Sequence, residues 1–256
     1  MINSIASKYV DVNPITGIEY ANKAIILAKK LNDSNQLKKA YFFKGNNFHS
    51  MGDNVAAIES YLKCLELATL LKHKVSIGQL ANNIGNTYFD LSNYDSSLLY
   101  HTKSFFIFEE MKDTASMCLP LNGMGRDYMN LGNYSKAIEC YFKVINLEEL
   151  TGSFSASGST FSNRGSAFSN IGYVYLKMGN FFKAVEYFEK AIEIFAKAED
   201  KIGVAKALIY IGNTYEKMNN KERALTYYQK SLVTSKEVDY KPGIAENFYN
   251  IGVFIQ

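Results

Sequence analysis

The chain has 256 residues with 28 basic and 25 acidic side chains, so its net charge is only +3 and the two signs are interspersed. This balance argues against the basic stripe that nucleic-acid binding needs, and we expect no nucleic-acid partner. With 47% hydrophobic residues, three prolines and no tryptophan, the composition supports a core and favours helices over β-turns or disorder.

Three cysteines, Cys64, Cys118 and Cys140, lack the close pairing of a zinc or redox motif, so we interpret them as reduced packing residues. No apolar run reaches the roughly 20 residues of a membrane span, and residues 1–10 do not resemble an export signal. We therefore expect a cytoplasmic chain with no metal, no cofactor and no membrane segment.

The chain is organised around a recurring glycine, usually followed three residues later by an aromatic residue. The pentapeptide IGNTY occurs at 84–88 and again at 211–215, and looser copies flank both. We call the following residues the repeat glycines: Gly45, Gly85, Gly125, Gly172, Gly212 and Gly252. Their intervals of 40, 40, 47, 40 and 40 residues are the signature of a stacked repeat array.

Taken in order, residues 1–35 are predicted to form a partial repeat whose first helix is short or missing, with Pro14 in the first turn of the next helix. We predict five repeats and an unpaired final helix at about 36–74, 75–112, 113–151, 152–200, 201–240 and 241–256. Seven residues after each of the first five repeat glycines comes a break such as Gly52-Asp53 or Ser92-Asn93. The first residue tolerates a left-handed backbone and the second can cap a helix, so each repeat is predicted to be a helical hairpin.

The second helix of each hairpin carries a small residue, a ring and another mostly small residue at fixed distances from the repeat glycine. The small residue twelve positions on is Ala57, Ser97, Ala137, Ala184 or Ala224. The ring four positions later is Tyr61, His101, Tyr141, Phe188 or Tyr228, and Cys64, Ser104, Val144, Ala191 or Ser231 follows after three more. Because four residues make about one helical turn, we expect the small residues to let paired helices approach while the ring fills the space beside them.

This pattern resembles the tetratricopeptide repeat, and Gly172, Tyr175, Ala184, Phe188 and Ala191 form its cleanest copy. The resemblance implies an all-α fold: one right-handed α-α superhelix, or solenoid, of stacked helical hairpins over residues 1–256. Two features depart from the family, whose usual period is 34 and whose second helix usually ends near a proline. The 40-residue unit is similar to the longer-helix branch found in cell-polarity adaptors and bacterial peptide-sensing regulators.

The 47-residue interval contains a duplicated heptad, because 158–164 is repeated with changes as 165–171. Seven residues are nearly two helical turns, so one hypothesis is a first helix that protrudes by about two turns, roughly 10 Å. The alternative is a disordered Ser/Gly loop, since serine and glycine are weak helix formers.

By analogy with the family, the first helices line a concave groove that reads a protein or peptide partner. The predicted contacts are Asn46, His49, Asn82, Asn86, Asn122, Arg126, Tyr173 and Asn213. Asparagine amides both donate and accept hydrogen bonds, so a row of them can hold the backbone of an extended peptide. The alternative is that the amides bond to one another or to solvent. Lys39, Asn46, Asn86 and Arg126 do not match the places of the family's carboxylate clamp, so that ligand is not carried over.

No catalytic or metal site is predicted: the three histidines have no ligand partner at metal spacing, and phosphate-binding and hydrolase signatures are missing. The sequence therefore predicts a non-catalytic interaction scaffold. One alternative is the sensory region of a larger bacterial signalling protein, such as a histidine kinase or nucleotide cyclase, whose catalytic domain lies beyond residue 256. Another is a self-assembling scaffold or homodimer formed through the uncapped final helix, where Phe248 and Ile251 are expected to be exposed.

Overall fold

A computed structural model describes residues 2–10, 12–150 and 158–252 of the chain. Those residues form thirteen α-helices and no strand, which confirms the predicted all-α class of stacked helical hairpins. The helices belong to two compact units, Met1–Leu131 and Gly132–Gln256. The prediction that residues 1–256 form one continuous array stays a prediction.

The first unit contains seven helices. They are α1 Ile2–Lys8, α2 Pro14–Lys30, α3 Ser34–Ser50, α4 Asn54–Leu70, α5 Lys74–Asp90, α6 Tyr94–Glu110 and α7 Thr114–Asn130. Each helix packs against the next one, and α5 also contacts α7. The unit begins with the short α1, and Pro14 is the first residue of α2; the predicted repeat boundaries stay a prediction.

The second unit contains the remaining six helices. They are α8 Tyr134–Leu150, α9 Gly158–Lys177, α10 Phe181–Lys197, α11 Lys201–Lys217, α12 Lys221–Glu237 and α13 Lys241–Gly252. Here too successive helices pack together, and α11 also contacts both α9 and α13. In both units the helix that carries the repeat glycine is called the first helix, and the one after it the second helix.

One turn type sets the length of the helices, most of which have 17 residues. Gly52, Ser92 and Asn219 have positive φ angles, and each is followed by an Asp or Asn. The side chain of that residue accepts a hydrogen bond from a backbone N–H in the next helix, as predicted. The same turn joins successive hairpins, at Lys72 and Lys112 for example. The sequence did not reveal these sites, because lysine seldom occupies the left-handed region.

The predicted small, ring and small positions form the buried interior of both units. All fifteen of those side chains are at most 3% exposed. Four of the repeat glycines are needed because a ring lies directly against each of them, namely Gly45, Gly85, Gly172 and Gly212. A Cβ atom on Gly85 would lie 2.6 Å from the ring of His101, and one on Gly172 would lie 2.8 Å from the ring of Phe188. Glycine thus allows the two helices of a hairpin to pack closely despite its low helix propensity.

The duplicated heptad lengthens α9, which has 20 residues. Three additional residues correspond to about 4.5 Å, or less than one turn, so the described helix extends less than the predicted two turns. The loop alternative is wrong for residues 158–165, which are helical. Both hypotheses, the protruding helix and the loop, also concern residues 151–157, which lie outside the described residues.

The expectation for the final helix is half right. Phe248 is 54% exposed, as expected, whereas Ile251 packs against the buried cluster of Ile209, Ala224 and Tyr228. Ile251 therefore faces the interior of its own unit, and the prediction that it is exposed is wrong.

Candidate functional site

The residue after the repeat glycine is tied to the ring of the second helix in three hairpins. Tyr61 donates to Oδ1 of Asn46 at 2.8 Å, and Tyr228 donates to Oδ1 of Asn213 at 2.6 Å. Nε2 of His101 lies 3.3 Å from Oδ1 of Asn86. Burial raises the pKa of Tyr61, so its hydroxyl keeps the proton that it donates.

These bonds orient the amides, because they use the carbonyl oxygen of each half-buried asparagine inside the hairpin. The NH₂ groups of Asn46, Asn86 and Asn213 make no hydrogen bond to any described residue. Each therefore keeps two N–H donors available for an acceptor outside the hairpin. The alternative raised from the sequence, bonding within the array, applies to the oxygens of these residues.

In two further predicted residues, Asn82 on α5 and Asn122 on α7, the side-chain oxygen accepts no hydrogen bond within the described part of the chain. The Oδ1 atoms of both are buried, and Asn82 is only 9% exposed. Other buried asparagines with an unsatisfied oxygen, such as Asn47 and Asn247, still donate through Nδ2. A buried acceptor without a donor costs about 1–3 kcal/mol, so this pair requires an explanation.

Arg126 on α7 reaches across to α5. Its Nη2 donates to Oδ1 of Asn86 at 2.7 Å, and its guanidinium carbon lies 4.6 Å from the centre of the Phe89 ring. The planar group is thereby fixed by one hydrogen bond and one cation–π contact, with further N–H donors remaining. The sequence placed Asn86 and Arg126 at equivalent positions, and the structure shows that they are bonded to each other.

A buried polar network lies beneath this pair. Nδ1 of His101 is 2.7 Å from Oδ2 of Asp127, and Ser97 Oγ lies 2.7 Å from Oδ1 of the same carboxylate and 2.9 Å from the carbonyl oxygen of Gly85. All three side chains are fully buried. Both Ser97 and His101 contact the carboxylate, and Nε2 of His101 faces Asn86 instead of the serine. The arrangement therefore lacks the serine-to-Nε2 contact of a nucleophilic triad.

Asp127 was missed by the sequence reasoning, although a signal existed. Ser97 and His101 occupy positions that mostly hold alanine and Tyr or Phe in the other repeats. Asp127 stands two residues after its repeat glycine, where the neighbouring repeats have Thr87 and Val174. These coincident departures could have indicated a compensating contact.

His49 belongs to a solvent-exposed pair rather than to a buried one. Its Nε2 lies 2.8 Å from Oδ2 of Asp90, and the side chains are 39% and 46% exposed. Such a pair contributes at most about 1 kcal/mol to stability. It links α3 to α5 next to the asparagines.

In the second unit the predicted residues Tyr173 and Asn213 lie in aromatic surroundings. The rings of Tyr173 and Tyr210 are 5.7 Å apart. The hydroxyl of Tyr228 lies 2.6 Å from Asn213 and 2.9 Å from Oε2 of Glu216. Burial, followed by the bond to Glu216, raises the pKa of Tyr228. This surface is richer in rings and poorer in amides than the one in the first unit.

Two kinds of feature are lacking among the described residues. Those residues include no group of three or more His, Cys, Asp or Glu side chains that could hold a metal ion. None of their helices is both long and apolar enough to cross a membrane.

Comparison with known proteins identifies the fold. A tetratricopeptide repeat model matches residues 163–236, and a second model of the same repeat matches 38–69 and 121–149. Together these segments make up just over half of the chain. No curated protein sequence gave a match.

Three solved structures have similar folds. A Rap protein complexed with competence and sporulation factor has a TM-score of 0.70 at 14% identity, over 90% of this chain and 62% of that one. Aspartyl phosphate phosphatase F from Bacillus subtilis has 0.76 at 16% identity, over 88% and 58%. The apo quorum sensor NprR from B. thuringiensis has 0.72 at 14% identity, over 97% and 68%. At these identities the likeness concerns the fold, and this chain spans about three-fifths of the length of those proteins. With the repeat models, the packed repeat glycines and the stacked hairpins in agreement, the chain belongs to the tetratricopeptide repeat family.

Proposed function

We propose that the first unit binds an extended peptide segment of a protein partner across α3, α5 and α7, and that it does so without catalysis. The observation that carries this proposal is the pair Asn82 and Asn122, whose buried Oδ1 atoms accept no hydrogen bond within the described chain. Rotation of each side-chain amide would bring Oδ1 to the surface, where the N–H groups of a peptide backbone could donate to it, and peptide carbonyls could accept from the outward NH₂ groups of Asn46 and Asn86.

Other residues would add to this contact surface. Arg126 is held in place by Asn86 and Phe89 and has donors left for a peptide carbonyl or carboxylate. His49 lies on the same first helix as Asn46. In the second unit, Tyr173 and Asn213 occupy the position after the repeat glycine, and we propose them as contacts of that unit.

A test can separate binding from folding. Peptides selected from a random display library against the wild-type chain would be labelled, and their affinity measured by fluorescence polarisation. We expect the Asn82→Ala/Asn122→Ala variant to lose at least about tenfold in affinity, or roughly 1.4 kcal/mol. Its unfolding midpoint should not fall, because neither Oδ1 atom accepts a hydrogen bond within the described part of the free chain.

The matched control is Asn83→Ala, which removes the neighbouring, half-buried amide on α5. It should bind the selected peptides like the wild type. Equal affinity of the double variant and the control for every peptide would refute the assignment of Asn82 and Asn122.

A second candidate function is peptide sensing within a signalling protein. It is supported by the likeness to a structure described as a quorum sensor. In this version the bound peptide would change the activity of another domain or protein. A selected peptide that binds but leaves the proteolysis pattern of the folded chain unchanged would count against it.

A further inference from the structure

We propose that a cavity in the first unit binds a small carboxylate ligand with an apolar body. The cavity has a volume of about 280 Å³ and lies between α3, α4 and the start of α5. It does not depend on the peptide proposal, because none of the proposed contact asparagines lines it.

One residue that lines the cavity, Lys38, belongs to a pair of positions whose residue sizes are exchanged between repeats. Seven residues before the repeat glycine, the second repeat has Gly78, and a Cβ there would lie 2.7 Å from the ring of Phe108. In the second unit, Gly165 packs against the ring of Phe195 in the same way. In the first repeat the equivalent residues are Lys38 and Ala68. At these two positions the first repeat therefore has a long amine and a methyl group, where the second repeat has a hydrogen atom and a ring.

Lys38 is the feature that points to an anion. Its side chain lines the cavity and the residue is 8% exposed, yet the one hydrogen bond of its ammonium to a described residue is a long one of 3.4 Å to Ser76 Oγ. No carboxylate of the described residues forms an ion pair with Lys38 or with Lys39, which also lines the cavity. A buried ammonium without a counter-charge is unfavourable, and a bound anion would remove that cost.

The remaining lining indicates which anion fits. Phe42, Leu80 and Cys64 supply apolar surface. Burial raises the pKa of Cys64 to about 12, so it is a neutral thiol that donates to the Lys38 carbonyl oxygen at 3.2 Å. One buried amine and one hydroxyl match the two oxygens of a carboxylate, whereas a phosphate dianion would bring a second charge into a mostly apolar space.

Two sources offer this chemistry, namely a free organic acid and the C-terminal residue of a peptide. N-acetyl-L-leucine represents both, and its amide keeps the shape but lacks the charge. Binding of each compound to the full chain would be measured by isothermal titration calorimetry. We expect the acid to bind at least about tenfold more tightly than the amide.

Two variants test the cavity itself. Lys38→Met keeps the length of the side chain and removes its charge, and it should weaken binding of the acid by at least about tenfold. Lys38→Gly/Ala68→Phe copies the Gly78–Phe108 pair, so it should fold normally and bind no acid. Lys29→Met removes one exposed lysine of α2 and should bind like the wild type.

A short peptide that ends in the same leucine distinguishes the sources. Tighter binding than the acid, lost in Lys38→Met, would identify a peptide C-terminus, and equal or weaker binding would identify a free acid. The proposal is overturned if acid and amide bind equally, if Lys38→Met retains full affinity, or if no binding is detected up to ~10 mM acid. None of these results bears on Asn82 and Asn122, so failure here is distinct from failure of the peptide proposal.

Discussion

Asp127→Ala should destabilise the first unit strongly although the residue touches no solvent-exposed surface. Asp127 and His101 are fully buried, and their side chains meet at 2.7 Å. Removing the carboxylate leaves Nδ1 of His101 with only a long contact of 3.4 Å to Ser97 Oγ, while Ser97 can still donate to the Gly85 carbonyl oxygen. One poorly bonded ring nitrogen and a small cavity together should cost about 3 kcal/mol.

Replacing the whole network should behave differently. Ser97→Ala/His101→Tyr/Asp127→Thr copies Ala57, Tyr61 and Thr87, which stand forty residues earlier and in which the tyrosine hydroxyl donates to Asn46. The new tyrosine could donate to Asn86 in the same way, with its ring against Gly85 as the ring of Tyr61 lies against Gly45. Well-packed replacement of a buried polar set is often neutral or stabilising, so we expect a change between about 0 and +2 kcal/mol.

Urea unfolding followed by circular dichroism measures both effects. Because the chain has two compact units, the curve can contain two transitions, and the changes should fall on one of them only. The reasoning fails if Asp127→Ala costs less than about 1 kcal/mol or if the triple variant is less stable than the single one.

Two further predictions concern the second unit. Gly172→Ala should destabilise it by about 1–2 kcal/mol in thermal unfolding, since the new Cβ would lie 2.8 Å from Phe188 and 3.1 Å from the backbone oxygen of Ala184; Gly252→Ala, which meets nothing within 4 Å, should be neutral. Burial raises the pKa of Glu148 from 4.5 to about 7, with Arg164 opposing the shift. A carboxyl whose pKa is raised by folding contributes full stability below pH 4.5 and loses it as the pH rises through 7. Glu148→Gln should therefore remove that loss and leave the unit about 1 kcal/mol more stable at pH 8, a figure reduced because solvent reaches the side chain; identical pH profiles for the variant and the wild type would contradict this.

Much of the fold could be predicted because the same packing pattern recurs five times in the sequence. A glycine must face a ring, a small residue must stand one turn before that ring, and a left-handed residue must end each first helix. Repetition makes these positions visible in a single sequence. The turns between hairpins were missed because lysine at Lys72 and Lys112 carries no left-handed preference, and their φ angles are imposed by the packing of the flanking helices.

The candidate site was predictable only in part, because position along a helix does not specify hydrogen-bond partners. The repeat pattern places Asn46, Asn86 and Asn213 at one position, but their bonds depend on which ring stands fifteen residues later. Likewise, Asn82 and Asn122 differ from other buried asparagines only in what surrounds them. Contacts between repeats, such as that between His101 and Asp127, are visible in the sequence only when departures from the pattern are compared across repeats.

Some residues that depart from the repeat pattern have a structural explanation, whereas others are better explained by function. Asp127 is compensated by His101 and Ser97, and Gly78 is compensated by Phe108, so in each case the departure improves the interior and requires no ligand. Among the described residues, the Oδ1 atoms of Asn82 and Asn122 have no donor, and the amine of Lys38 has one long hydrogen bond and no counter-charge. An uncompensated buried polar group lowers the stability of the free chain, so its presence is better explained by a partner that supplies the missing hydrogen bond or charge.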